Sequence, residues 1–332
     1  THRNEDYLIG SREISDRTGA EVLHSDYENY DFAYGSTIKD EDLINFGNLQ
    51  IKVLHTPGHT LGHMSYLLYD PDENPWMIFT GDALFAGDVG RTDFYEGQNE
   101  AMTAKLYDSI INKILPLGDG VIICPAHGAG SVCGSRITER IWTTIGLEKK
   151  YNPVLQLDRE TFIEKQSRNL DYPPYFKVME KQNKEGPSTK CSLPNPVPLS
   201  PSRFEELSKE AQIVDLRSEA AFGAAHIEAS VFLTENIVSN FAGWFLDYDQ
   251  PIILVSDTEN LDNVVRQLFR IGYDNIQGYL KGGITAATKA GLETQSIGTV
   301  NASYVKARRK TNNPFILDIR GEEEAESVPI PS

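Results

Sequence analysis

The 332-residue sequence predicts an α/β protein with two domains and part of a third. Short apolar strands alternate with helical segments in residues 1–150, and the same alternation returns in residues 203–293. Between them, residues 186–202 hold five prolines and no hydrophobic period, which predicts a linker. We therefore assign residues 1–185 to a first domain, residues 203–293 to a second and residues 294–332 to the start of a third.

The composition limits the partners and the compartment. A formal net charge of −17 argues against nucleic acid or an anionic membrane as a partner. No run reaches the ~18 apolar residues that span a bilayer, and no signal peptide is visible. The three cysteines, Cys124, Cys133 and Cys191, lack the pattern of a disulfide framework and fit a reducing compartment, so we predict a cytoplasmic protein.

In the first domain, polar side chains follow apolar strands. The pattern predicts strands over 49–54, 64–69, 76–79 and 121–124, and helices over 100–115 and within 151–185. The segments directly after three of these strands carry His59, Asp82 and His127. Since loops held by a rigid sheet commonly carry chemistry, a site is predicted where these strands end.

The second domain opens with a segment that recurs near the end of the chain. Ile213-Val-Asp-Leu-Arg-Ser-Glu219 resembles Ile316-Leu-Asp-Ile-Arg-Gly-Glu322. A Ser-Val pair follows in each copy, as Ser230-Val231 in the first and Ser327-Val328 in the second. The pair lies six residues closer to the aspartate in the second copy than in the first. This spacing predicts a deletion in the second copy or a skipped loop. Other elements of the second domain are strands over 213–216 and 251–255, a helix over 262–271 and a helix after the turn 280–284.

Two histidines and one aspartate are the best candidates for metal ligands. The opening segment fits the pattern H-x-H-x-D-H only at His2 and Asp6, because Asn4 and Tyr7 replace two of its histidines. His59 lies in the turn Thr-Pro-Gly-His-Thr, and Asp82 lies in Thr-Gly-Asp after a strand. Two imidazoles and a carboxylate are a ligand set for one ion, and they suit zinc or ferrous iron. For His55 and His63, which flank the turn, we expect structural roles.

Further motifs resemble a known family. These are Gly81-Asp-Ala-Leu-Phe85, Gly90-Arg-Thr-Asp-Phe94 and Pro125-Ala-His-Gly-Ala-Gly-Ser131. Together they resemble the persulfide dioxygenases (sulfur dioxygenases) of the metallo-β-lactamase superfamily, in particular members fused to rhodanese domains. The resemblance implies an αββα sandwich. Because a sandwich that starts at His2 lacks part of its first sheet, it is expected to be N-terminally incomplete, with further residues upstream.

The resemblance also implies a metal and a reaction. In that family one Fe(II) per chain is held by residues that correspond to His2, His59 and Asp82, which are therefore the predicted catalytic residues. Asn4 and Tyr7 remove ligands of a second metal, which leaves the two-His, one-carboxylate triad of mononuclear iron oxygenases. The implied reaction converts a thiol persulfide, O₂ and water to thiol and sulfite, as a step of sulfide and sulfane-sulfur detoxification.

Substrate contacts are less determined by the sequence. Candidates for contact with the substrate or with a ligand side chain are Arg91, His127, Asp6, Asn4 and Tyr7. Arg91 either binds a carboxylate of the carrier thiol or pairs with Asp93 or Asp88 to hold its loop. Glutathione-using members carry an aromatic residue where this chain has Ala129, so the carrier thiol stays open. A homo-oligomer is compatible with the sequence.

Residues 203–293 resemble a rhodanese domain that lacks its catalytic cysteine. Ser256 stands at the cysteine position after the predicted strand 251–255, and Asp257 and Glu259 follow it. Serine cannot carry a persulfide, and the carboxylates repel anionic sulfur species. We expect a structural or interaction role for this domain, and we expect residues 294–332 to begin a second rhodanese-like domain that is truncated.

Two other functions stay open at this point. One is a zinc-dependent thioester hydrolase of the glyoxalase II type, with zinc instead of iron. The other is a catalytically inactive scaffold that binds sulfur species.

Overall fold

A six-stranded mixed sheet organises the first domain. The structure is a computed structural model that describes residues 2, 7–28, 31–134, 136–170, 172–187, 192–312 and 314–329. The elements of the first domain, in chain order, are α1 (Ser11–Thr18), β1 (Leu23–Ser25), β2 (Ser36–Ile38), β3 (Leu43–Phe46), β4 (Leu49–His55), β5 (Met64–Tyr69), β6 (Pro75–Gly81), α2 (Asn99–Ser109), β7 (Ile122–Pro125), β8 (Thr143–Thr144), α3 (Ile145–Tyr151), α4 (Arg159–Gln166) and α5 (Phe176–Glu185). The order in the sheet is β3-β4-β5-β6-β7-β8, and β1 and β2 form a separate parallel pair. The four strands predicted from the sequence are therefore confirmed.

The core of this domain lies between the sheet and α2. Leu67, Ile78 and Ile123 are cross-strand neighbours on β5, β6 and β7, and all three are buried. They belong to the same apolar cluster as Leu106 and Ile110 from the helix side. Full burial of such side chains contributes about 1.5–3 kcal/mol each, which fixes the sheet register.

The helix predicted over 100–115 is irregular at its end. α2 continues into a π-helical turn, Ile110–Ile114, and then a 3₁₀ turn, Leu115–Leu117. Pro116 lies in this last turn, and proline lacks the N–H that a longer α-helix needs.

A five-stranded parallel sheet forms the second domain, in the order β12-β10-β13-β14-β9. Its elements, in chain order, are β9 (Val197–Leu199), α6 (Pro201–Leu207), β10 (Gln212–Asp215), α7 (Glu219–Ala224), β11 (His226–Ile227), β12 (Val231–Phe232), α8 (Val238–Phe245), β13 (Ile252–Val255), α9 (Asp262–Arg270), β14 (Ile276–Leu280), α10 (Gly283–Ala290) and β15 (Thr294–Gln295). Two helices follow, α11 (Ala302–Asn312) and α12 (Glu322–Ser327). The central strands β10 and β13 coincide with the predicted ones within one residue.

β9 differs from the sequence prediction. It lies inside the proline-rich stretch predicted as a linker, yet it pairs with β14 at the edge of the second sheet. Pro198 is tolerated there because an edge strand leaves one row of N–H groups without a ladder partner. Gly278 permits the close pairing, since a Cβ at this position would lie 2.5 Å from the Val197 carbonyl oxygen.

The internal repeat is structural, and it contains no gap. Arg217 binds both carboxylate oxygens of Asp215 and donates to the carbonyl of Ala225. Arg320 repeats all of these contacts with Asp318 and with the carbonyl of Val328. In both copies the arginine therefore reaches the carbonyl eight residues further on. The expectation of a six-residue deletion was wrong, because Val328 corresponds to Ala225 rather than to Val231.

The two domains share a hydrophobic core. Tyr175, Phe176 and Met179, at the end of the first domain, lie in one buried cluster with Val214 and Leu254 of the second sheet. The second domain is therefore packed against the first and not joined by the linker alone. No helix in the described part of the chain is long and apolar enough to cross a bilayer.

Met179→Ala tests this shared core. Met179 is fully buried, so the substitution is expected to lower the free energy of unfolding by about 2–5 kcal/mol. Because the core is shared, hydrogen exchange should become faster in both domains. Lys181→Ala on the exposed side of α5 is the control, and it should change stability by no more than about 0.5 kcal/mol. Faster exchange confined to the second domain would contradict the shared core.

Candidate metal centre

Three strands end at the same edge of the first sheet. β4 and β6 are each antiparallel to β5, so they run in the same direction, and β7 is parallel to β6. His59 follows β4, Asp82 follows β6 and His127 follows β7. The topology therefore brings these three side chains together, as the sequence predicts, and His2 joins them from the start of the chain.

Asp82 lies at the middle of the cluster. Its Oδ1 is 3.3 Å from His2 Nε2, and its Oδ2 is 3.4 Å from His59 Nε2 and 3.2 Å from His127 Nε2. The side chains of His2, His59 and Asp82 are inaccessible to solvent. Ligand atoms of these three residues all lie within 4.8 Å of one another, and Asp82, His127 and Cys133 form a second such group.

The donor atoms fit a metal ion. Among the described residues, His59 Nε2 and Asp82 Oδ1 are buried without a hydrogen-bond partner. A buried carboxylate is costly unless something compensates its charge. Two atoms that are each about 2.1 Å from one cation lie about 3.0–3.4 Å apart at angles between 90° and the tetrahedral angle. The observed separations match this range.

Burial and charge keep these groups in the form that binds metals. Burial lowers the pKa of His59 to about 3, so its imidazole is neutral at physiological pH. Burial would raise the pKa of Asp82, but the facing imidazoles outweigh it and hold that pKa well below its usual range. A neutral imidazole and a carboxylate anion are the species that coordinate a cation.

The loop around Gly90 orients His59. His59 Nδ1 donates to the carbonyl of Arg91 at 2.9 Å, which leaves Nε2 as the atom directed at Asp82. Gly90 is required beside it, because a Cβ at this position would lie 1.9 Å from the carbonyl oxygen of Asp82.

The Pro57-Gly58 turn packs against α2. Gly58 has a φ of +150°, and a Cβ here would lie 2.4 Å from Leu106 Cα. The glycine therefore allows close packing of the turn that carries His59 against α2.

His63 holds Asp82 through the backbone. Its Nε2 accepts the N–H of Asp82 at 3.0 Å, so the proton is on Nδ1, which donates to Thr56 Oγ1 at 2.9 Å. Burial lowers the pKa of His63 well below its usual value, which preserves this neutral tautomer. Its structural role agrees with the sequence expectation, although its partner was not predicted.

Glu28 is a residue that the sequence did not single out. Its carboxylate accepts hydrogen bonds from the Gly62 N–H at 2.7 Å and from the Tyr95 hydroxyl at 2.8 Å. The Tyr95 hydroxyl also accepts from the Leu61 N–H. This network fixes the turn that carries His59. No local motif could have revealed it, because Glu28 and Gly62 are 34 residues apart.

Of the predicted site residues in the opening segment other than His2, only Tyr7 is described by the structure. Asn4 and Asp6 lie outside the described residues. Tyr7 is at the surface, and its carbonyl accepts from the Asn183 side chain.

For Arg91, the structure shows the second of the two predicted alternatives, in which its side chain pairs with Asp93 and holds the loop. Its guanidinium donates to both oxygens of Asp93, at 2.7 and 2.8 Å, and to the carbonyl of Leu170.

The loop at Ser256 in the second domain is closed by its own side chains. Ser256 Oγ accepts the Thr258 N–H, Thr258 Oγ1 accepts the Asn260 N–H, and Asn260 Oδ1 accepts the Asp262 N–H. A loop that stabilises a persulfide needs such N–H groups free to point at sulfur. The loop therefore differs from a sulfur-binding one in its hydrogen bonding as well as in its missing cysteine.

Comparison with known proteins gives the family. The model of the metallo-beta-lactamase superfamily matches residues 2–127, and that of the rhodanese-like domain matches residues 200–290. A crystal structure of a metallo-beta-lactamase from Staphylococcus aureus is 31% identical, with a TM-score of 0.72, over 84% of this chain and 82% of that chain. This chain belongs to the metallo-β-lactamase superfamily. It combines that fold with a rhodanese-like domain, as the sequence predicts.

Curated relatives of this superfamily member have two different functions. A hydroxyacylglutathione hydrolase, GloC, from Haemophilus influenzae is 37% identical over 117 residues, which are 35% of this chain and 46% of the relative. The mitochondrial persulfide dioxygenase ETHE1 from Bos taurus is 36% identical over 137 residues, 41% of this chain and 48% of the relative. The chain thus spans about half the length of the curated relatives it matches.

His59→Ala tests the ligand assignment. The substitution removes one of three buried donors, so the purified protein is expected to lose nearly all bound metal, as measured by elemental analysis. His55→Gln, at the strand end that precedes this turn, is the matched control, since the His55 ring is hydrogen-bonded to the carbonyl of Leu61. It should retain the wild-type metal content. A full complement of metal in His59→Ala would show that His59 is not a ligand.

Ser256→Cys tests the closed loop. Because Thr258 and Asn260 still accept two of the loop N–H groups, the new thiol is expected to show no thiosulfate sulfurtransferase activity. The triple variant with Thr258→Ala and Asn260→Ala frees those N–H groups and is the comparison. Activity of Ser256→Cys alone above the wild-type background would contradict the role given to the loop.

Proposed function

We propose that the chain is a mononuclear Fe(II)-dependent persulfide dioxygenase. The reaction is R-S-SH + O₂ + H₂O → R-SH + SO₃²⁻ + 2H⁺, with a low-molecular-weight thiol as the carrier R-SH. The observation that carries the proposal is the buried set of His2, His59 and Asp82, combined with Asn4 and Tyr7 at the histidine positions of a two-metal motif. Two imidazoles and one carboxylate on one side of an ion leave positions open for substrates.

His2, His59 and Asp82 would hold the iron. Bound there, ferrous iron supplies the open positions and the redox chemistry by which O₂ and a persulfide sulfur combine. Other residues of the chain orient the ligands and shield them from water. Arg91 and His63 fix the ligands through hydrogen bonds, and burial excludes bulk water from the donor atoms. His127, which is 9% exposed and lies 3.2 Å from Asp82 Oδ2, would be the group that exchanges a proton with the substrate.

A cavity beside the centre supports an anionic carrier thiol. It has a volume of about 650 Å³, and Gly90 and Cys133 are among its lining residues. Arg136, Lys165 and Arg168 also line it, in a chain whose overall charge is −17. Cations clustered in an otherwise acidic protein attract an anion such as a carboxylate or phosphate of the carrier.

The reaction would remove sulfane sulfur as sulfite, which places the chain in sulfide detoxification. A cytoplasmic location stays a prediction from the composition. The similarity to persulfide dioxygenase ETHE1 supports the activity, within the half of that relative that is matched.

A zinc thioester hydrolase is the second candidate function. His127 supports it, because it lies as close to Asp82 as the two proposed ligands do, and so does the similarity to hydroxyacylglutathione hydrolase GloC. Against it, Asn4 and Tyr7 supply no imidazole for a second metal. An inactive scaffold is the third candidate, and the intact buried triad weighs against it.

Oxygen consumption separates these functions. We expect the iron-loaded protein to take up one O₂ per sulfite formed when glutathione persulfide or coenzyme A persulfide is added, and to bind one iron per chain. The zinc-loaded protein is the matched control and should take up no O₂, since zinc has no redox chemistry. Two zinc ions per chain with thioester hydrolysis would support the hydrolase. No turnover of either substrate by the metal-loaded protein would support the scaffold.

A further inference from the structure

We propose that the second domain positions the metal centre, acting on His59 through an aromatic bridge of Phe94, Phe176 and Tyr175. The proposal depends on the proposed metal centre, but it does not depend on which reaction occurs there. A rhodanese-like domain suggests sulfur transfer, yet the loop at Ser256 lacks the cysteine, and three of its N–H groups are bonded to its own side chains. The contacts of this domain indicate another use.

The bridge begins at the metal ligand. The ring of Phe94 lies edge-on to that of His59, with centroids 4.9 Å apart and an interplanar angle of 76°. Arg91, three residues earlier, accepts the hydrogen bond from His59 Nδ1. One segment therefore constrains the imidazole by a hydrogen bond and by an aromatic contact, so a shift of Phe94 would change the direction of Nε2.

Phe94 in turn packs against the end of the first domain. Its ring centroid is 6.2 Å from that of Phe176 and 6.1 Å from that of Tyr172. Phe176 contacts Tyr175 at 5.1 Å and nearly at a right angle. Phe176 and Tyr175 are both buried, so neither ring can turn aside into solvent.

Tyr175 rests on helix α8 of the second domain. A Cβ at Gly243 would lie 2.4–2.6 Å from three side-chain atoms of Tyr175, a contact that only glycine permits. Ala242 and Val238 of the same helix lie in the apolar cluster that contains Tyr175 and Phe176. The position of α8 therefore determines that of Tyr175, and through the bridge that of His59.

Two further contacts join the second domain to segments near the other metal-centre residues. The Leu8 N–H, in the segment after His2, donates to the carbonyl of Arg270 at the end of α9 at 2.7 Å. The Asn240 side chain on α8 donates to the carbonyl of Gly130, in the loop that follows His127, at 2.9 Å. Each contact involves residues outside the aromatic bridge.

Cobalt binding by the full-length chain tests the proposal without reference to the reaction. The variants are Phe94→Leu, which removes the ring, Gly243→Ala, which displaces Tyr175, and the double variant. The Co(II) dissociation constant is measured by competition with a chelator, and the Co(II) absorption spectrum reports the ligand geometry. Supporting residues of metal ligands typically change affinity by roughly 10–100-fold, so each single variant is expected to weaken binding about 10-fold and to alter the spectrum.

The double variant shows whether the two positions act through one bridge. Coupled residues are expected to give a combined loss well below the product of the two single losses, whereas independent residues give the product. Phe94→Tyr retains the ring and should restore wild-type affinity. Gly298→Ala, at an exposed glycine that follows β15 and has open space around it, is the matched control and should change nothing.

The contrary results are distinct. Wild-type affinity and spectrum in Phe94→Leu would overturn the proposal, and so would multiplicative losses in the double variant. Should Gly243→Ala fail to fold, Tyr175→Leu replaces it, because it removes the ring that lies between Phe176 and α8. Weakened Co(II) binding is then the expected result, and unchanged binding is the contrary one. If the wild-type protein oxidises no persulfide but the coupling is present, the proposed reaction fails while the positioning role stands.

Discussion

The metal centre depends on the burial of one carboxylate, that of Asp82, away from water. An isolated carboxylate in this position is costly, and here three imidazoles face its two oxygens at 3.2–3.4 Å. Because burial keeps His59 neutral, that imidazole does not compensate the charge as a cation does. A metal ion shared by these donors satisfies the carboxylate and the imidazoles together, so the loops must hold side chains from separate parts of the chain within a few tenths of an ångström.

The loops are held in place mainly by hydrogen bonds between side chains and backbone groups. His63 accepts the N–H of Asp82, Glu28 accepts the N–H of Gly62, and the carbonyl of Arg91 orients His59. These residues need not touch a metal to determine its geometry. The second domain extends the same arrangement, because its helix α8 packs against Tyr175, which is linked through Phe176 and Phe94 to His59. The centre is thus a property of the whole packed chain and not of its ligands alone.

Sequence reasoning predicts some of this well and some not at all. The strands over 49–54 and 76–79 were predictable because their apolar pattern is local, and the loops after them could be assigned a shared edge. The edge strand β9 was missed, since its proline content resembles that of a linker and its pairing with Gly278 is not local. Glu28 and Phe94 act on His59 from positions about 30 residues away, and no spacing rule connects them. The apparent deletion in the repeat arose from matching Val328 to Val231, which the contact of Arg320 with the Val328 carbonyl corrects.

In the second domain, the contacts that stabilise the fold are separate from the loop at Ser256, where a rhodanese would carry its reactive cysteine. The Asp-x-Arg pair at Asp215 and Arg217 is nearly inaccessible to solvent and links the end of β10 to the carbonyl of Ala225. This tie involves no residue of the loop at Ser256. A sulfur-binding loop needs a thiol and free N–H groups, whereas here the cysteine is absent and three short polar side chains accept three of the N–H groups. The fold therefore persists without the sulfur site, and what it still presents to the rest of the chain is the packing face of α8 and α9, which contacts the first domain beside the metal centre.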